Sequence, residues 1–172
     1  MVNMMKYIYL ENESIQSVMV EVRALNSIRA KMATTQYVNG EHLMIFVDGK
    51  RIDKWLSESL DKNDYLDLIP AWLGWLLKPE EQEYVWTKTR LCERETTIVP
   101  ILVCPDDLDF SCTVVVCEVK YTNNSVVWMR LGIDKTGFPN YIGNDIEWFQ
   151  NISPLTFSRQ EYETCLTKFS NY

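Results

Sequence analysis

The chain has one histidine, His42, so the Ser-His-Asp and Cys-His arrangements that activate a nucleophile rest on a single position. No G-x-G-x-x-G, Walker Gly-Lys-Ser/Thr or G-x-S-x-G pattern occurs. Nucleotide binding and acyl hydrolysis therefore have no local signal. Cys92, Cys104, Cys112, Cys117 and Cys165 include no C-x2-C pair, so no zinc site is expected. Their odd number and irregular spacing are also no disulfide framework, and free thiols are expected. No apolar run reaches the ~18 residues that span a bilayer. The most apolar stretch, Leu66 to Leu77, is interrupted by Asp67 and Pro70. Runs of Lys and Arg are missing too, which argues against a phosphate-backbone partner.

What remains has the composition of a folded domain. Of 172 residues, 47% are hydrophobic and 24% charged, which is enough apolar surface to build a core. With no repeat, low-complexity segment or Gly/Ser/Pro-rich linker, residues 1–172 are read as a single domain. Met1 to Leu10 shows no cleavage-site pattern, so a cytoplasmic address is expected.

Periodicity supplies the elements. Ser17 to Leu25 alternates, with Val18, Val20 and Val22 on one face, and predicts a strand. Asn39-Gly40 signals a hairpin before the apolar strand Leu43–Val47, and Asp48-Gly49 signals a second tight turn. Asp53 is expected to cap a helix through Leu60, with Ile52, Trp55, Leu56 and Leu60 as its apolar stripe. A helical stretch over Tyr65 to Leu77, interrupted by Pro70 and Gly74 and so either kinked or in two pieces, is expected to end at Pro79. Tyr84–Thr87 and Thr96–Val103 read as strands.

Ser111–Tyr121 and Ser125–Ile133 form the clearest hairpin, turning at Asn123-Asn124. That register sets Val119 opposite Trp128, Cys117 opposite Arg130, Glu118 opposite Met129 and Val116 opposite Leu131. Ser158 and Glu161 fit a capping box with a Phe157–Tyr162 staple. Tyr162, Cys165, Leu166 and Phe169 then form the buried stripe of a terminal helix. The fold class expected is α+β: a mainly antiparallel sheet, a central helical insertion and a C-terminal amphipathic helix.

Charge is unevenly placed. Residues 61–115 hold 5 basic and 11 acidic side chains, a net −6 of the whole −7. Asp106, Asp107 and Asp109 lie in one loop, within Cys104-Pro105-Asp106-Asp107-Leu108-Asp109. Clustered oxygens suit a hard cation, but the late Glu and central Gly of an EF-hand are missing. A turn set by Pro105, or an acidic partner-binding loop, accounts for the same residues. No metal ligand, catalytic residue or cofactor is assigned. Glu80, Glu81 and Glu83 form a second acidic group. Trp72 and Trp75, three apart in an apolar stretch, suit either the core or an interface. His42, beside a turn, is read as a surface residue.

The stretch Ile98-Val99-Pro100-Ile101-Leu102-Val103-Cys104-Pro105-Asp106-Asp107-Leu108-Asp109, followed by Cys112-Thr113-Val114-Val115-Val116, resembles small bacterial single-domain proteins. Trp128-Met129-Arg130-Leu131-Gly132-Ile133-Asp134 extends the likeness, which covers about the last half of the chain. In size and acidity such proteins resemble the immunity proteins of bacterial polymorphic-toxin systems. The resemblance implies a non-enzymatic protein that neutralises a basic protein partner, while the missing basic and long apolar runs argue against nucleic acid and membrane. Asp106, Asp107, Asp109, Glu80, Glu81, Glu83, Trp72 and Trp75 are the expected partner-binding residues. The competing expectation is an enzyme or metal-dependent domain built on the Cys-Pro-Asp-Asp loop.

Overall fold

The computed structural model describes residues 25–90, 96–136 and 142–172. The strand expected at Ser17 to Leu25 falls almost wholly outside them. Three strands form one antiparallel sheet: β1 (Ile28–Ala33), β2 (His42–Val47) and β3 (Lys50–Arg51). Asp48 and Gly49, at φ 49° and 81°, make the tight β2–β3 turn that Asp-Gly predicts. Asn39-Gly40 is not a second such turn. Ala33 pairs with His42, so these residues lie inside an eight-residue connection.

Between the sheets lies the helical insertion. Helix α1 (Ile52–Leu60) is followed by two short 3-10 turns, Asn63–Tyr65 and Ala71–Leu73, and then by α2 (Pro79–Thr89). Over Tyr65 to Leu77, where one kinked helix or two helical pieces are expected, the chain forms no α-helix but those short turns and a two-residue strand, β4 (Ile69–Pro70). Pro70 cannot continue a helix, and Gly74 turns the chain at φ 76°.

Pro79 does not end a helix but starts one, at the first helical position, where its missing N–H costs nothing. The strand expected at Tyr84–Thr87 is therefore helical. The buried positions of α2 are Glu81, Val85 and Thr89, spaced four apart. Two of the three are polar, so the helical stripe is hidden in the sequence behind a run of strand-forming residues.

The second sheet runs β4, β5 (Thr96–Val103), β6 (Val114–Tyr121), β7 (Ser125–Asp134) and β8 (Ile146–Trp148), with β9 (Leu155–Ser158) also on β7. All its pairings are antiparallel. The β6–β7 hairpin forms as expected, but neither Asn123 nor Asn124 takes a positive φ. The Thr122 hydroxyl instead accepts from the Ser125 N–H at 3.0 Å and holds the turn.

Val119 pairs with Trp128 as expected, and then the register slips by one at Met129. Cys117 meets Leu131, Glu118 meets Arg130 and Val116 meets Gly132. The slip is a β-bulge, which hydrophobic alternation does not reveal. It sets Arg130 against Glu118 in a two-pronged ion pair at 2.6 and 3.1 Å.

Helix α3 (Arg159–Ser170) closes the fold against β1, β7 and β9. The Ser158 hydroxyl accepts from the Glu161 N–H at 3.2 Å, one half of the expected capping box. The Glu161 carboxylate turns instead to Arg29. Tyr162, Cys165 and Phe169 are buried in a core that runs from Ile28 and Ile45 through Trp72, Val116 and Trp128. Both sheets thus share one hydrophobic interior in an α+β fold. No helix among the described residues is long and apolar enough to cross a membrane.

Candidate functional site

The two acidic groups, far apart in sequence, meet in space. The loop after β5 is pinned to the start of α2 by Lys78. Its ammonium lies 2.9 Å from Asp109 Oδ2 and 3.2 Å from Glu81 Oε1. Glu81 Oε2 also accepts from the Phe110 N–H at 3.0 Å, and the Leu77 N–H donates to the Leu108 carbonyl at 2.8 Å. The Tyr84 and Phe110 rings pack edge to face across the same seam. Asp109 accepts from the Ser111 hydroxyl and N–H as well. The Ser111 hydroxyl first, and Lys78 second, hold the Asp109 carboxyl down at about 2.

The expected partner-binding residues therefore divide. Glu81 is buried, and with Asp109 it faces inward onto Lys78. Glu80, Glu83, Asp106 and Asp107 are exposed on either side of the clamp. Trp72 is fully buried, edge-on to Phe169 and Tyr162, so it has no surface to offer a partner. Trp75 is half-buried between His42 and Tyr172. Leu77, not singled out from the sequence, is 70% exposed beside Lys78. A large apolar side chain thus stands at the junction of the two acidic groups.

The same loop gathers a second set. The ligand atoms of Cys104, Asp107 and Cys112 all lie within 4.8 Å of one another. Two backbone features bring them there. The Leu108 N–H donates to the Cys104 carbonyl at 3.2 Å, which folds Asp107 back over Cys104. The Cys104 N–H donates to the Thr113 carbonyl at 3.1 Å, continuing the β5–β6 ladder to the position next to Cys112. Cys104, Cys112, Cys117 and Cys165 are free thiols. Partial burial, then the neighbouring Cys104 thiol, push the Cys112 thiol up.

A third polar group is structural. Asp53 is fully buried and does not cap α1. Both its oxygens are held by Arg51, at 2.7 and 2.5 Å, and it accepts from the Asp67 N–H at 2.9 Å. Arg51 also reaches Asp67 at 2.8 Å and the Thr34 carbonyl. A bidentate pair with two further charge-assisted hydrogen bonds from the same guanidinium locks the β3–α1 corner to the loop before β4. His42 is not on the surface but fully buried. It stacks obliquely on Trp75, with Nδ1 3.4 Å from the Gly40 carbonyl and no partner for Nε2. Burial, the dominant cause, lowers its pKa.

No protein-family model, curated protein or solved structure matches the chain.

Proposed function

We propose that this chain is a non-enzymatic binding protein of the immunity type, which captures a basic protein partner on the acidic seam between α2 and the loop after β5. The observation that carries this reading is the Lys78 clamp. One cation spends its charge on Glu81 and Asp109 and thereby draws together four exposed carboxylates, Glu80, Glu83, Asp106 and Asp107. Charge of one sign raises the rate of encounter with an oppositely charged surface. Exposed Leu77 supplies an apolar contact that slows release once the partner has docked. The single histidine, the one side chain whose ordinary pKa lies near neutrality, is enclosed in the core and does not reach this surface.

The test compares capture from the native cell by the unmodified chain and by the Glu80→Gln/Glu83→Gln/Asp106→Asn/Asp107→Asn variant, at low and physiological salt. The expected result is a protein of net positive charge, identified by mass spectrometry, retained by the first and lost by the second. Equal retention by both would remove the seam from the interface.

A further inference from the structure

Beyond partner binding, and on different atoms except for Asp107, we infer that Cys104, Asp107 and Cys112 form a binding site for a thiophilic divalent cation, with zinc the ion of that class available in a cell. Two thiol sulfurs and one carboxylate are a donor set that zinc takes and that calcium and magnesium do not. The three donors already lie within 4.8 Å of one another. In a tetrahedral zinc site with Zn–S of about 2.3 Å, neighbouring sulfurs are ~3.8 Å apart. Between the two sulfurs at most about 1 Å of closure is needed, and between sulfur and carboxylate oxygen slightly more, within reach of side-chain rotation.

The backbone that carries the donors is held from outside the site. Cys104 is tied into the β5–β6 ladder, and Leu108 is fixed at φ 49° by the Cys104 carbonyl on one side and the Leu77 N–H on the other. Asp109 is anchored to Lys78, so the loop cannot open without breaking that clamp. Asp107, unlike Asp109, makes no ion pair among the described residues, so no described cation neutralises this corner. A divalent ion would. Three protein donors leave one coordination position open, to be filled by water or by a side chain of another molecule.

The site is mixed because the loop is short. Cys104 and Cys112 reach it from the two strand ends, and Asp107 from the turn between them. Spacings of three and five between successive donors match no familiar zinc motif, yet the turn at Leu108 closes them into one corner.

The experiment uses the full chain, reduced and freed of metal, titrated with zinc chloride in competition with a chromophoric chelator. Cobalt(II) serves as a second probe, because thiolate ligation gives it a charge-transfer band in the near ultraviolet. The expected result is one ion per chain and a thiolate–cobalt band. Affinity should fall by at least about tenfold in each of Cys104→Ser, Cys112→Ser and Asp107→Asn. Circular dichroism checks that each variant is folded, and Asp106→Asn should bind as the parent does. The inference is overturned by the absence of stoichiometric binding, by binding that survives both cysteine variants, or by loss in Asp106→Asn with none in Asp107→Asn. Because this readout needs no partner, it fails or succeeds separately from the acidic-seam reading.

Discussion

Lys78 and Asp109, 31 positions apart, are joined at 2.9 Å, and this contact fixes the loop after β5 against the first turn of α2. The loop thus contains carboxylates of two kinds. Asp109 is committed to Lys78 and Ser111, whereas Asp106 and Asp107 face solvent.

Replacing Asp109 with Asn keeps the shape and removes the charge that Lys78 and Ser111 bind. The melting temperature should fall by a few degrees at neutral pH, while Asp106→Asn should leave it nearly unchanged. The sign of the pH dependence follows from the carboxyl's displacement to about 2 from its ordinary 3.8. A carboxylate held below its unfolded value stabilises the fold above about pH 4 and loses that contribution as pH falls towards 2. The gap between parent and Asp109→Asn should therefore close over that range. Thermal melts of both proteins at pH 7, 4 and 2.5 would show it.

His42 gives the opposite type of group. Its folded pKa lies below the ordinary 6.5 because burial penalises the imidazolium. The unfolded chain then takes up the proton first, so stability is complete above about pH 6.5 and declines as pH falls below it. Urea midpoints between pH 7.5 and 5 should drop for the parent and drop less for His42→Leu. Parallel slopes would mean that His42 titrates alike in both states.

Trp72 tests the core. Its ring is fully enclosed, with Phe169 and Tyr162 edge-on at 5.6 and 6.2 Å. Trp72→Ala should cost ~3–5 kcal/mol of unfolding free energy. Trp75→Ala, at a half-buried site, should cost clearly less. Denaturant titration of both variants measures the difference.

Gly132 is set by contact, not by a turn. A Cβ there would lie 2.7 Å from the Glu147 carbonyl oxygen and 2.9 Å from Ile146 Cγ2. Gly132→Ala should push β8 away, at a cost of about 1–3 kcal/mol. Arg130 covers the Trp148 ring at 4.0 Å, so the tryptophan emission of the variant should shift as that contact loosens.

The fold was legible wherever one interaction dominated a segment. The strand after His42, the Asp48-Gly49 turn, the β6–β7 hairpin and the stripe of α3 all follow from local periodicity. It was illegible where a polar residue sat on the buried face. Glu81 and Thr89 hide the stripe of α2 because their partners, Lys78, the Phe110 N–H and the Val85 carbonyl, are set by the folded chain. Asp53 reads as a helix cap until Arg51 is seen to occupy it. The acidic residues were found by composition, but their division into clamp and free surface depends on Lys78. Cys104, Asp107 and Cys112 converge through one backbone turn, which spacing alone does not encode.

An acidic face that steers its partner must act through long-range charge, so the most direct measurement is the association rate as a function of ionic strength. Stopped-flow mixing with the purified partner would compare the parent with the Glu80/Glu83/Asp106/Asp107 neutralised variant. At physiological salt the Debye length is ~8 Å, against ~30 Å at 0.01 M. The parent rate should fall steeply between these conditions, by about tenfold or more. The variant should start lower and change little, with its melting temperature preserved. Equal rates and equal salt slopes for the two proteins would contradict the acidic seam as the binding surface.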